Sequence, residues 1–194
     1  MARIKEFDRE EAVQQAMAVF WGQGYDATST DDLLRAMGIG RQSMYDTFGD
    51  KHRLYLEALQ RYQADYGAGL LENLRAATSP LTAIREILLS VANQTPSERA
   101  RGCMTVNATT ELAHADPEVA SLVKASGMLC EALFERVVRE AKQKGELSPS
   151  IDERAAGRFI LATIRGLRVS AKAGASPEAL RDIACFALGG LKAM

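Results

Sequence analysis

Cysteine, proline, histidine and aromatic residues are all scarce in this 194-residue chain: 3 Cys, 5 Pro, 2 His, and 6% Phe, Trp and Tyr combined. Each scarcity excludes something. Cys103, Cys130 and Cys185 are odd in number and far apart, with no CxxC pair and no zinc spacing, so neither a disulfide scaffold nor a structural metal is expected. No cofactor is implied. The plain reading is free thiols in a reducing cytoplasm. His52 and His114 stand in no catalytic motif, and no GxSxG, HExxH or P-loop pattern occurs, so an enzyme is not expected. No run of about 18 apolar residues is present, which excludes a membrane-spanning helix. The opening Met-Ala-Arg-Ile-Lys-Glu-Phe-Asp has no apolar h-region, so no signal peptide is expected. A charge excess is missing too: 24 basic residues face 25 acidic ones. Taken in bulk, that balance argues against a nucleic-acid partner, since basic domains are the usual footprint of phosphate binding.

What is present is an ordinary globular composition, 47% apolar and 25% charged, with helical periodicity throughout. A chain of this length buries a core without staples. Ala12, Val13, Ala16, Met17, Phe20 and Trp21 recur at spacings of three and four, one face of a helix. Asp8 with Glu11 resembles a capping box, so the first helix starts near Arg9 and ends before Gly24. Thr28 to Asp32 offers several N-caps before two turns carrying Leu33, Leu34, Ala36 and Met37, stopped by Gly38. Arg41 to Phe48 forms another short helix, and a long one begins at Lys51 with Leu54, Ala58, Tyr62 and Tyr66 on one stripe. Ser79-Pro80, Asp116-Pro117 and Ser176-Pro177 are cap-then-proline helix starts. Another helix starts near Asp152, and one covers Cys103 to Ala113 after a polar loop at 94–97. No period-2 run is long enough for a strand. The fold class is all-α. The shift from short to long helices predicts a small three-helix domain over residues 1–50 joined to a larger helical bundle over 51–194.

The stretch from Thr28 to Lys51 carries the chemistry. Two short helices joined by Gly38-Ile39-Gly40 form a helix-turn-helix. Leu33, Leu34 and Met37 brace the second helix, whose Met44 and Phe48 face the core four residues apart. Gln42, Ser43, Tyr45, Asp46 and Thr47 fall mostly on the other faces, where a major groove would meet them. Spacing alone leaves open two surface helices of an ordinary bundle.

The residues Phe20-Trp21-x-x-Gly24-Tyr25-x-x-Thr28-Ser29-Thr30, then Ala36-Met37-Gly38-Ile39-Gly40-Arg41-Gln42-Ser43-Met44-Tyr45-Asp46-Thr47-Phe48-Gly49-Asp50-Lys51, decide more. This pattern resembles the DNA-binding domain of the TetR family of bacterial transcriptional regulators, over roughly residues 5–60. Gly40 stands where that family commonly has Ser or Thr, and Gln42 replaces a usual small residue. The resemblance implies a cytoplasmic repressor that binds a double-stranded DNA operator. It implies phosphate contacts from Thr30, Tyr45 and Lys51, and base-edge positions at Arg41, Gln42, Ser43, Asp46 and Thr47. Arg can read guanine and Gln adenine bidentately. Residues 1–53 hold 7 basic and 9 acidic residues, so position must matter more than bulk charge. Arg3 and Lys5 are further candidates to face phosphate.

Beyond residue 60 the resemblance implies dimerisation through the last two helices and a small-molecule effector. Ala156, Phe159, Ile160, Thr163, Ile164 and Leu167 form one stripe; Leu180, Ile183, Ala184, Ala187, Leu188 and Leu191 form another. Small residues, among them Gly157, Gly166, Gly189 and Gly190, permit close helix approach. The stripes serve a homodimer interface or the monomer's own core. On a helix, Cys103, Asn107 and Thr110 share a face. Cys103 is a structural cysteine, part of an effector pocket, or a thiol switch placed after Arg99 and Arg101. Cys130 and Cys185 are expected in apolar stripes. A small-molecule-binding helical protein without DNA function is the alternative reading of the whole.

Overall fold

The computed structural model describes residues 7–193, so Arg3 and Lys5 lie outside the described residues. These are helical, with no strand among them: α1 (Arg9–Gln23), α2 (Thr30–Met37), α3 (Arg41–Phe48), α4 (Lys51–Ala76), α5 (Pro80–Ser90), α6 (Pro96–Arg101), α7 (Met104–Glu111), α8 (Pro117–Gln143), α9 (Glu153–Lys172) and α10 (Pro177–Ala193).

Short polar side chains start most of these helices, because the first N–H groups of a helix lack intrahelical acceptors. Asp8 Oδ1 accepts from Glu10 N and Glu11 N at 2.8 and 3.2 Å. Ser79 and Ser176 Oγ accept from Thr82 N (3.2 Å) and Ala179 N (3.1 Å). Asp116 and Asp152 Oδ1 accept from Val119 N (3.1 Å) and Ala155 N (2.7 Å). The segment read as a polar loop is instead a helix start. Thr95 and Glu98 form a reciprocal capping box for α6, with Pro96 in its first turn. The cap-then-proline signature was there too; the shortness of the helix hid it. The helix expected from Cys103 to Ala113 is correspondingly shorter: Cys103 is its N-cap and Glu111 its last residue.

Two compact units result. One joins the residues up to Asp65 with Cys103–Val123; the other joins Tyr66–Gly102 with Lys124 onward. Packing thus draws its boundary inside α4 and α8 rather than at residue 50. The physical reason is the first unit's core: Leu54, Tyr55, Ala58, Leu59 and Tyr62 of α4 pack with α1–α3 residues and with Met104, Ala108 and Val119. Phe20 meets Tyr55 edge-on at 5.0 Å, and Trp21 meets Tyr62 at 4.8 Å.

The second unit's core comes from Ile84, Ile87 and Leu88 of α5, Phe134, Val137 and Val138 of α8, and the inner faces of α9 and α10. Here the two predicted stripes divide. Ala156, Ile160, Ile164, Leu167, Leu180, Ala184 and Leu191 are buried, whereas Phe159 is 41% and Ile183 43% exposed. Cys185 is exposed rather than set in an apolar stripe, because it stands one position from the buried Ala184 and faces away from the core.

Candidate nucleic-acid interface

The first helix of the helix-turn-helix is fixed at both of its ends. Ser29 caps α2 in a capping box with Asp32: Ser29 Oγ accepts from Asp32 N at 3.1 Å, and Asp32 Oδ2 accepts from Ser29 N at 3.1 Å. The Ser29 hydroxyl, which donates to Asp32 Oδ2 at 2.6 Å, and the Ser29 N–H together hold the Asp32 carboxyl below its usual value. Of the five possible caps, only Thr28 and Ser29 have an acidic residue three positions on, and Ser29 is the one that caps α2. Gly38 ends α2 in the left-handed region (φ 64°), which an L side chain adopts only with strain. Two residues, Ile39 and Gly40, separate it from α3.

α3 is anchored by Met44 (0% exposed) and Phe48 (5%). Burying two such side chains contributes about 1.5–3 kcal/mol each. Arg41, Gln42, Tyr45 and Asp46 are exposed, and Ser43 and Thr47 half-buried at the margin. Four of the six expected positions outside the anchor therefore lie on the open side of one helix, and the other two at its edge. The backbone of Gly40 starts α3 with no side-chain hydrogen bond at the cap, a direct consequence of glycine where the resemblance leads one to expect a hydroxyl.

The polar side chains on this side are engaged with one another. Arg41 Nη2 donates to Asp31 Oδ1 at 2.5 Å. Gln42 Nε2 donates to Asp46 Oδ1 at 2.8 Å, so Asp46 meets an amide rather than a basic neighbour. Lys51 Nζ stands 4.3 Å above the centre of the Tyr25 ring, a cation–π contact that leaves its charge unneutralised. Burial, with Asp50, Asp116 and Asp26 nearby, raises the Tyr25 phenol, so the ring under Lys51 stays uncharged. Asp50 Oδ1 accepts from Arg53 N at 2.8 Å and so takes one of the α4 N-terminal donors near Lys51. Thr30 is the first residue of α2 and half-buried.

Two further tethers escaped sequence reasoning. Arg9 donates to both carboxylate oxygens of Glu57, at 2.5 and 2.8 Å, while lying 5.2 Å over the Phe48 ring. It thereby ties α1, α3 and α4 together. His52 Nε2 lies 2.6 Å from Asp116 Oδ2. Partners 48 and 64 residues apart leave no local pattern to read.

The second expected site is less assembled. Cys103 is buried (7% exposed) in the first unit's core. Thr110 is exposed and its hydroxyl donates to the Asn107 carbonyl at 3.0 Å; Asn107 is half-buried. Arg99, expected beside the thiol, donates to the Gln94 carbonyl. Clefts of about 690 and 590 Å³ open in the second unit, neither lined by these three residues. Among the described residues no cluster of three His, Cys, Asp or Glu could hold a metal, and no helix is long and apolar enough to cross a membrane.

Comparison with known proteins identifies the family. Residues 12–58 match the bacterial regulatory proteins of the tetR family, and residues 77–186 match a tetracyclin repressor-like C-terminal domain. The chain belongs to the TetR family of bacterial transcriptional regulators. It is 36% identical over 184 residues to YezE, an uncharacterised helix-turn-helix regulator of Bacillus subtilis, covering 94% of this chain and 95% of that one. It is 30% identical to the Escherichia coli repressor ComR, covering 94% and 88%. A cysteine mutant of the TetR-family regulator CifR on 26-bp operator DNA superposes with a TM-score of 0.83. It has 29% identity and covers 98% of this chain and 100% of that one. This TetR-family chain is a DNA-binding transcriptional regulator, of a family that regulates rather than catalyses. The alternative without DNA function falls away.

Proposed function

We propose that the protein is a cytoplasmic repressor that binds a DNA operator as a homodimer. It reads base edges with Arg41, Gln42, Ser43 and Thr47 of α3, and holds phosphates with Thr30, Tyr45 and Lys51. In this reading residues 1–50 carry DNA recognition, and residues 51–194 carry dimerisation and effector response. The division of α3 into a buried Met44–Phe48 side and an exposed Arg41–Gln42–Tyr45–Asp46 side carries it. That ComR is a repressor, and that CifR was solved on operator DNA, supports it.

The dimer reading rests on the outer faces of the last two helices. Phe159, Val169, Ile183 and Phe186 are exposed, Phe186 to 87%. A Cβ added at Gly166, Gly189 or Gly190 meets nothing within 4 Å, so these positions leave room for a partner helix. A two-fold pair of chains presents two α3 helices to a palindromic site.

Release from DNA follows from an effector or a thiol modification that favours a spacing of the two α3 helices unsuited to the operator. Cys103, Asn107 and Thr110 are the residues proposed to sense it. Two of the cysteines replaced in the CifR mutant are spaced as Cys103 and Cys185 are here, which supports the thiol branch.

The test is a shift assay with DNA from upstream of the protein's own gene. Wild type retards a defined fragment. Arg41→Ala loses at least tenfold in affinity, consistent with about 1–3 kcal/mol for a bidentate base contact made by each protomer, with an unchanged melting temperature. Wild-type affinity in that variant excludes Arg41 as a base reader.

A further inference from the structure

We propose that Asp31 and Asp46 are positioning residues: they hold the two base-reading side chains, Arg41 and Gln42, and lower the affinity for DNA of arbitrary sequence. The inference rests on α3 being the reading helix.

The geometry assigns each carboxylate one reader. Asp31 Oδ1 takes Arg41 Nη2 at 2.5 Å across the turn, and Asp46 Oδ1 takes Gln42 Nε2 at 2.8 Å one helical turn along α3. Neither bond exhausts its reader. A guanidinium has five N–H donors in a planar fork, so gripping it through Nη2 aims the rest without consuming them. A Gln amide has two protons and an acceptor oxygen. With one proton on Asp46, the other proton and Oε1 remain, which is the donor–acceptor pair that adenine requires. Both pairs restrict long side chains before DNA arrives, so less ordering remains to be done on binding.

Stability does not explain the pairs. Arg41 and Asp31 side chains are 55% and 69% exposed, and exposed ion pairs add little to folding. Their cost on DNA is plain: a carboxylate beside a phosphate backbone repels it at any sequence. That repulsion is outweighed only where the pre-aimed Arg41 and Gln42 find matching bases. This accounts for a DNA-binding segment that carries 7 basic and 9 acidic residues over positions 1–53.

The experiment uses the full chain. Wild type enriches duplexes from a randomised pool. Affinities for the enriched duplex and for a scrambled duplex of equal length are then measured by anisotropy for wild type, Asp31→Asn and Asp46→Asn. Asp65→Asn, about 20 Å along α4 from Lys51, controls for net charge. Asp31→Asn and Asp46→Asn should each tighten the scrambled duplex about two- to fivefold and weaken the enriched one. The affinity ratio then falls about tenfold at an unchanged melting temperature, and Asp65→Asn leaves it alone. A ratio that stays at the wild-type value, or equal tightening on both duplexes, overturns the proposal. Arg41→Ala separates the layers. If it enriches the wild-type sequence, α3 is not the reader. If it loses that sequence while Asp31→Asn keeps the wild-type ratio, the positioning role alone fails.

Discussion

His52 Nε2 and Asp116 Oδ2 stand 2.6 Å apart, joining the second residue of α4 to the cap of α8. Asp116 serves twice, because its other oxygen accepts from Glu118 N and Val119 N at 3.0 and 3.1 Å. Burial raises its carboxyl, but the Val119 N–H, His52 and the Glu118 N–H outweigh burial and leave it below the usual carboxylate value. A carboxyl lowered in the folded state stabilises above its unfolded value, and the contribution is lost as pH falls through the lowered one. Acid titration of stability by circular dichroism should therefore show a shallower decline below about pH 4 for Asp116→Asn than for wild type. Asp116→Ala should in addition cost about 1 kcal/mol at neutral pH through loss of the cap.

Lys51 differs from Arg41 in kind. It sits over Tyr25 and offers a point charge, and its proposed role is a phosphate contact, which carries no base code. Lys51→Ala should weaken operator and scrambled DNA by the same factor. It should also reduce the salt slope of log K by about 1 for each protomer's lost phosphate contact. A sequence-dependent loss would place Lys51 in a groove instead.

Gly157 marks a close backbone approach of two helices in the second unit. A Cβ there would stand 2.9 Å from Glu135 N and 3.1 Å from Glu131 O, both backbone atoms of α8. Backbone cannot swing aside as a side chain does, so α8 and α9 must part. Gly157→Ala should destabilise by about 1–3 kcal/mol in urea unfolding, although alanine is the better helix former. Gly166→Ala, with nothing within 4 Å, should leave monomer stability equal or higher.

Phe186 is 87% exposed on α10. Replacing it by Glu removes little intrachain burial, yet places a charge in the proposed interface, where unpaired charges are costly. Sedimentation should show Phe186→Glu shifted towards monomer, with operator affinity lost in parallel. An unchanged dimer would move the interface elsewhere.

The cysteines should separate by rate. Cys185 is exposed and Cys103 buried, so a thiol reagent should label Cys185 at once and Cys103 only as fast as the first unit opens. If Cys103→Ser abolishes release of DNA by an electrophile while Cys185→Ser does not, Cys103 is the sensor. If both variants respond as wild type, the thiol branch fails.

Helix starts were legible because a cap needs only residues within one turn: Asp8, Ser79, Asp116, Asp152 and Ser176 all cap as their sequence neighbourhoods predict. α6 escaped because six residues give no period to detect. The stripes of α9 and α10 were legible as apolar faces, but not as one inner and one outer face. Hydrophobicity alone does not separate Ile160 at 0% exposure from Phe159 at 41%.

The sequence by itself determined the all-helical class, the helix-turn-helix and the family, since periodicity, caps and motif spacing are local properties of the chain. Tertiary structure alone decided what the charges do. Arg9 with Glu57, His52 with Asp116, and Arg41 with Asp31 pair across 48, 64 and 10 residues, and only the packing of the first unit's helices brings them within reach. The same packing buried Cys103 and left Cys185 exposed. Burial depends on which faces the neighbouring helices cover, and no single helix encodes that.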